Sequence, residues 1–205
     1  MKLNLGSGFN KLAGYINIDC ESICEPDQCF NLEAELPLSN DYATELVLHH
    51  TLEHLGDTAE KFINIIKEFY RISQDGCIWK ITVPHYNSDI FHIDPTHVRK
   101  IHPMTMRMFD QQDNVKDLKN RGHYTKLGLL NAVDIQVIKE VFYLTEPWNT
   151  QAHSGKITNE EINFAGSHYN NICSEIYLEC LVHKPERHPY ESIKHLFDVY
   201  SRKDS

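Results

Sequence analysis

The stretch HIDPTHVRK, residues 92–100, places His92, Asp94 and His97 within six positions of one another. Three chemistries are open to that spacing. An imidazole, with an unperturbed pKa of about 6.5, accepts a proton at neutral pH, so His97 is a candidate general base with Asp94 to fix its tautomer and steady the imidazolium. The same three side chains, with His85 close by, suit zinc or another divalent ion. Asp-Pro-Thr is also good turn-forming chemistry, in which case Asp94 and His97 hold a loop that Pro95 stiffens. Arg99 and Lys100 offer charge for an anionic substrate, and Tyr86, Phe91 and Tyr124 offer aromatic walls for a pocket.

A second group is HHTLEH, residues 49–54. His50 and His54 have one-turn spacing, but Glu53 adjoins the second histidine, whereas the metalloprotease H-E-x-x-H pattern puts it beside the first. The segment also leaves a strand instead of lying mid-helix. Its expected role is structural, with Glu53 and His54 capping or hydrogen-bonding the start of the next helix. Cys20, Cys24 and Cys29 match no common zinc spacing. The cysteines as a whole show no disulfide-scaffold pattern, so reduced thiols are expected. No stoichiometric metal is expected.

The elements that must carry these residues follow from periodicity. KLNL (2–5), YINID (15–19) and ELVLHH (45–50) read as strands. Residues 57–73 put Phe62, Ile65, Ile66, Phe69 and Ile72 on one helical face, with Asp57 or Thr58 as cap. QDG (74–76) is a turn and CIWKITVP (77–84) another strand. Strand, helix and strand in that order predict a right-handed crossover in a parallel sheet. A short helix near Pro103–Phe109 and two late strands at 133–144 and 172–184 follow, the stretch 149–171 being a polar excursion. The tail from His188 reads as an amphipathic helix that frays at its end.

At 205 residues the chain fits one domain with a substantial core, and it has no repeat, linker or low-complexity segment. A net charge of -9 with scattered lysines and arginines argues against nucleic acid or an anionic membrane as partner. No signal peptide and no run near the ~20 apolar residues of a membrane span is visible, so a cytoplasmic protein is expected.

Gly6 and Gly8 follow the first strand directly, where backbone N–H groups approach a ligand that a Cβ would block. Asp19 closes the second strand, placed to accept both hydroxyls of a ribose. A P-loop is excluded because no Gly-Lys-Ser/Thr follows, and the dinucleotide fingerprint lacks its further glycine. In order, LNLGSG, GYINID, FNLEAELPLSNDYATELVLHHTLEHL and FYRISQDGCIWKITVPH resemble the class I S-adenosylmethionine-dependent methyltransferases over roughly residues 2–110. The chain looks closest to a small bacterial group of predicted methyltransferases with LEHL after the fourth strand and DPTH after the fifth.

The resemblance implies a Rossmann-like, three-layer α/β/α fold, its sheet mostly parallel with an antiparallel last strand. It implies S-adenosylmethionine as cofactor, held by Leu5, Gly6, Ser7, Gly8, Asp19, Asn31 and Leu32, with His49 and His50 beside the methionine part. Asn31 stands where relatives often have Asp. Only ten residues separate Gly8 from Asp19, so the family's first helix must be very short or missing.

The function expected is methyl transfer to a small-molecule acceptor such as a sugar or secondary-metabolite hydroxyl, aligned for in-line displacement. His97, Asp94 and His85 are the catalytic candidates. Two rivals stay open: a metal-assisted methyltransferase using His92, Asp94 and His97, and a regulatory cofactor-binding protein without turnover. Because the sequence begins at its first strand, the lid is expected from 85–130, joined by 149–171.

Overall fold

The computed structural model describes residues 1–201, so the expected fraying at the very end lies outside the described residues. A seven-stranded sheet forms the centre, built from β1 (Lys2–Leu5), β2 (Ile16–Asp19), β3 (Gln28–Cys29), β4 (Ala43–His49), β5 (Ser73–Pro84), β6 (Ile135–Leu144) and β7 (Cys173–Val182). The strand order is β3-β2-β1-β4-β5-β7-β6. All pairings from β3 to β5 are parallel, and β7 runs antiparallel to both β5 and β6. This is the mostly parallel, Rossmann-like sheet expected, and its antiparallel strand is the last in sequence. Parallel strands buried on both faces need continuous apolar runs, and Leu3, Leu5, Leu46, Leu48, Ile81 and Val83 are all fully buried.

α1 (Ala59–Ile72) forms as its periodicity dictates. Phe62, Ile65, Ile66, Phe69 and Ile72 are all buried. Thr58 caps it, its hydroxyl accepting the Lys61 amide at 3.2 Å, a contact worth about 1 kcal/mol. Glu53 and His54 do not cap this helix. They sit earlier, in a one-turn 3-10 helix at Leu52–His54, because Gly56 turns the chain before the helix starts.

The turn expected at 74–76 is absorbed into β5. Ser73 pairs with Ala43 and Ile78 with Glu45, and the surplus residues bulge out around Gly76 at φ 76°. Ser73 is thereby buried, its hydroxyl accepting from the Trp79 indole at 2.8 Å and donating to the Phe69 carbonyl at 2.8 Å.

Between the core strands lie two helical excursions. The first contains α2 (Asp89–Ile93), α3 (Pro103–Arg107), α4 (Gln111–Lys119) and α5 (Leu127–Asn131). The second contains α6 (Trp148–His153) and α7 (Asn159–His168), where the sequence suggests only a polar excursion. Local caps rather than wide apolar faces define these helices: His102 with Thr105 for α3, Asp110 for α4, and Thr158 with Glu161 for α7. Asn171 ties the two excursions together. Its side chain accepts from the Asp89 amide at 2.7 Å and donates to the Asp89 carboxylate at 2.8 Å.

α8 (Tyr190–Ser201) closes a small core of Val115, Leu118, Leu129 and Ile193 with α4 and α5. Ahead of it, Arg187 reaches the fully buried Asp134 at 2.7 and 2.8 Å and Asp110 at 2.7 Å. Among the described residues no helix is long and apolar enough to cross a membrane.

Candidate functional site

β1 delivers the chain into a glycine turn with Gly6 at φ 66° and Gly8 at φ 50°. A Cβ on Gly6 would lie 2.4 Å from Cγ2 of Thr51. That threonine is fixed, since its hydroxyl donates to the Leu5 carbonyl at 3.0 Å. A Cβ on Gly8 would meet nothing within 4 Å. Gly6 is therefore demanded by packing, whereas Gly8 keeps a space open. No α-helix follows the turn before β2, as the ten-residue spacing requires.

Asp19, at the end of β2, is buried and points back at the turn. Its Oδ2 accepts the Gly8 amide at 2.7 Å and its Oδ1 the Glu21 amide at 2.9 Å. Beyond them opens a cavity of about 350 Å³ lined by Gly6, Gly8, Asp19, Cys20, Asn31, Leu32, His50, Thr51, His54 and Leu55. It lies outside the carboxyl ends of the central parallel strands, where open α/β sheets take ligands.

Six of the nine residues singled out by the resemblance for the cofactor line this cavity: Gly6, Gly8, Asp19, Asn31, Leu32 and His50. Leu5 does not, being a core side chain that offers only its carbonyl to Thr51. Ser7 is buried, its amide bonded to the Ile18 carbonyl at 2.9 Å. His49 is exposed at the strand end, its ring edge-on to His50. Asn31 spends its carbonyl oxygen on the Glu33 amide at 2.8 Å, and Glu33 in turn accepts the Gly56 amide at 2.7 Å. Cys20, Thr51, His54 and Leu55 also line the cavity. Cys20 and Thr51 each directly follow a residue that the sequence marks, the only sequence signal that points to them.

His50 leaves β4 at φ 50°. Its Nε2 lies 2.7 Å from Glu175 and its Nδ1 3.2 Å from Glu53, the latter off the line of a hydrogen bond. Glu53 and Glu175 together raise the His50 pKa against the opposing effect of burial.

The loop containing HIDPTHVRK folds back onto this wall. Val98 and Arg99 donate their amides to the Glu53 carbonyl at 2.9 and 3.1 Å. The His97 side chain is 6% exposed. Its Nδ1 lies 2.8 Å from the Phe91 carbonyl, so Nδ1 carries the proton and Nε2 is left basic. Asp94 does not fix that tautomer as expected, because Phe91 does. The Asp94 carboxylate instead stands 3.9 Å from Nε2, while its Oδ1 accepts from the Thr96 amide and hydroxyl at 2.8 and 2.6 Å. The turn reading of Asp-Pro-Thr is thus present in the structure alongside the buried imidazole.

The trio of His92, Asp94 and His97 does not assemble. His92 is exposed and turns its ring edge to Phe91. Glu53 and His54 converge on His97 in its place, with one ligand-capable atom from each within 4.8 Å of the others. His85 is buried apart from this group, packed on Tyr86 and Phe142 with Nδ1 accepting the Asn87 amide at 3.2 Å. Burial, aided by nearby His102, pushes its pKa down to about 4.

Arg99 is engaged in the scaffold. It donates to the Gly56 and Thr58 carbonyls at 2.6 and 2.9 Å and stacks on Phe62. Tyr124 lines a different cavity of about 290 Å³ against α3 and α4, which shares none of the cofactor candidates. The strand-end cavity is the candidate site because it joins the glycine turn, Asp19, His50 and His54, while the catalytic candidates His85, Asp94 and His97 are not among its lining residues.

No protein-family model matches the chain, and no curated protein matches it in sequence. Its structure is similar to that of a SAM-dependent methyltransferase from Archaeoglobus fulgidus, with TM-score 0.51 and 16% identity over 88% of this chain and 85% of that one. It is also similar to the YcgJ protein from Bacillus subtilis, with TM-score 0.50 and 13% identity over 89% and 92% of the two chains. The fold is the Rossmann-like one that the Archaeoglobus methyltransferase adopts.

Proposed function

We propose that this protein is an S-adenosylmethionine-dependent methyltransferase acting on a small polar acceptor. One observation carries the reading: the strand-end cavity unites the glycine turn, Asp19 and the Asn31–Leu32 segment. The residues fit such a cofactor. Asp19 presents two carboxylate oxygens for a ribose, Gly8 keeps the approach free of a side chain, and Leu32 gives an apolar surface for a flat base. The volume is that of a small-molecule site. When bound, S-adenosylmethionine supplies an electrophilic methyl group.

What remains for the protein is to hold the acceptor and, for an oxygen acceptor, to take its proton. His97 is set up for that: Phe91 fixes the tautomer with Nε2 basic, and Glu53 and Asp94 lie near enough to stabilise an imidazolium. A cation held by the same nitrogen is the second reading, favoured by the buried Glu53 carboxylate. The two excursions at 85–130 and 149–171, joined through Asp89 and Asn171, are assigned as the lid. The resemblance through LEHL and DPTH to a small bacterial group, and a sugar-like acceptor, belong to this proposal. The acidic chain favours a small molecule over nucleic acid.

Calorimetric titration with S-adenosylhomocysteine tests the reading. One saturable site is expected, and no binding at millimolar ligand, with NAD binding in its place, refutes it.

A further inference from the structure

Glu53 has a fully buried side chain, yet neither of its carboxylate oxygens receives a hydrogen bond. His50 Nδ1 stands 3.2 Å from Oε1 but off the line of a hydrogen bond, so the buried carboxylate keeps capacity for a further positive partner. Two imidazoles besides His50 stand beside it. His97 places Nε2 4.0 Å from Glu53 Oε1. His54 stands edge-on to His97 with ring centroids 4.6 Å apart.

Both rings are oriented through their other nitrogen. Nδ1 of His97 is held by the Phe91 carbonyl at 2.8 Å, and Nδ1 of His54 by Thr96, at 3.0 Å from the hydroxyl and 3.3 Å from the carbonyl. A backbone carbonyl on one ring nitrogen is the arrangement that fixes a metal-ligating histidine and makes its free nitrogen basic.

We propose that Glu53, His54 and His97 bind one divalent transition-metal ion of the zinc class. One carboxylate and two imidazoles are a ligand set such ions accept, and three protein ligands leave a fourth position open. Bonds of ~2.0–2.2 Å keep ligand atoms about 3–4 Å apart, and here the three atoms lie within 4.8 Å of one another, so small side-chain movements bring them onto one ion. The amides of Val98 and Arg99 on the Glu53 carbonyl pin the loop that carries His97 beside Glu53. His54 lines the strand-end cavity, which puts the ion at its margin. The inference goes beyond the methyl-transfer reading and does not depend on it.

Cobalt(II) is the probe. Reduced, chelator-treated full-length protein is titrated with it and followed by visible absorption. One equivalent should bind with d–d bands of a nitrogen–oxygen site, without thiolate charge transfer in the near ultraviolet, and zinc should displace it. His54→Ala and His97→Ala should each weaken binding by about 100-fold, while His92→Ala leaves it unchanged. Circular dichroism checks the fold of each variant, and if one fails to fold the other carries the test. The site is refuted by absence of saturation in the wild type, by a thiolate band marking the cysteines, or by His92→Ala losing affinity as His97→Ala does. S-Adenosylhomocysteine titration of the same samples reports the cofactor site separately.

Discussion

Asp19 accepts the amide of Gly8 at 2.7 Å, so the acid ending β2 and the glycine turn ending β1 form a single device. Ligand binding to the folded state should raise the melting temperature by linkage, with about 2.7 kcal/mol of stabilisation at 100 times Kd. S-Adenosylhomocysteine is expected to produce that rise in the wild type. Asp19→Ala should abolish most of it, because the variant loses the ribose acceptor and loosens Gly8 together. An undiminished rise in Asp19→Ala refutes this role for the acid.

The two glycines of the turn should separate stability from binding. Gly6→Ala combines a positive φ with a Cβ 2.4 Å from Thr51, and overpacking of that kind costs about 1–3 kcal/mol. Adding Thr51→Ala should recover part of the loss, as a double-mutant cycle measures. Gly8→Ala faces open space, so it should lose only about 1 kcal/mol for its backbone strain while weakening S-adenosylhomocysteine markedly. Equal effects of the two single substitutions on binding would contradict the assignment.

His97 distinguishes two ways of removing an acceptor proton. As a free base, it predicts a fall in kcat of about 10²–10⁴ for His97→Ala, with chelator leaving the wild type untouched. As a metal ligand, it predicts the same fall for His97→Ala, His54→Ala and chelator treatment alike. The measurement is kcat beside thermal melting, and normal kcat per folded molecule in His97→Ala removes both readings and leaves the loop a turn.

His85 should shape stability on the acid side. Its pKa is depressed by burial and by His102 to about 4, below the unfolded value of about 6.5. The unfolded chain therefore binds the proton first, so this contribution is present above pH 6.5 and lost as pH falls towards 4. Urea midpoints of His85→Gln should decline less steeply than those of the wild type across that interval. Parallel profiles would disprove it. His50 acts in the opposite sense, since its raised pKa gives stability below pH 6.5 that is lost as pH climbs through the folded value.

Arg187→Met should be costly for a different reason. It leaves Asp134 fully buried without its guanidinium, and breaking a buried pair costs about 3–5 kcal/mol. Asp134→Asn in the same chain should return part of that, and a loss below 1 kcal/mol for Arg187→Met would show the pair to be idle.

The core strands and α1 were legible because long apolar periodicities dictate them, and Phe62 to Ile72 needed no tertiary information. Of the excursion helices only α3 was legible, as the short helix expected near Pro103–Phe109; the others have few apolar positions and are defined by caps. Thr158 with Glu161 is a capping box written plainly in the sequence, yet the segment is too polar for periodicity to mark. Within the cavity, Gly6, Gly8 and Asp19 could be read from their order after two strands. His49 and His50 could not be separated, since His50 leaves the strand in a left-handed conformation that breaks the alternation of sides. Glu53 was hardest. Its surroundings depend on the loop at 94–99 folding back onto the turn at Leu52–His54, which no local pattern encodes.

The missing helix after Gly8 carries an electrostatic consequence. Where a helix begins behind a glycine turn, its aligned peptide dipoles place about half a positive charge at the N-terminus, which favours the pyrophosphate of a dinucleotide. Here the turn runs through ten irregular residues straight to β2, and the nearest fixed charge is the Asp19 carboxylate. On this side of the cavity a ligand meets a carboxylate in place of a helix dipole, which disfavours phosphate. Selectivity between nucleoside ligands would then rest on the sign of their charge as much as on their shape.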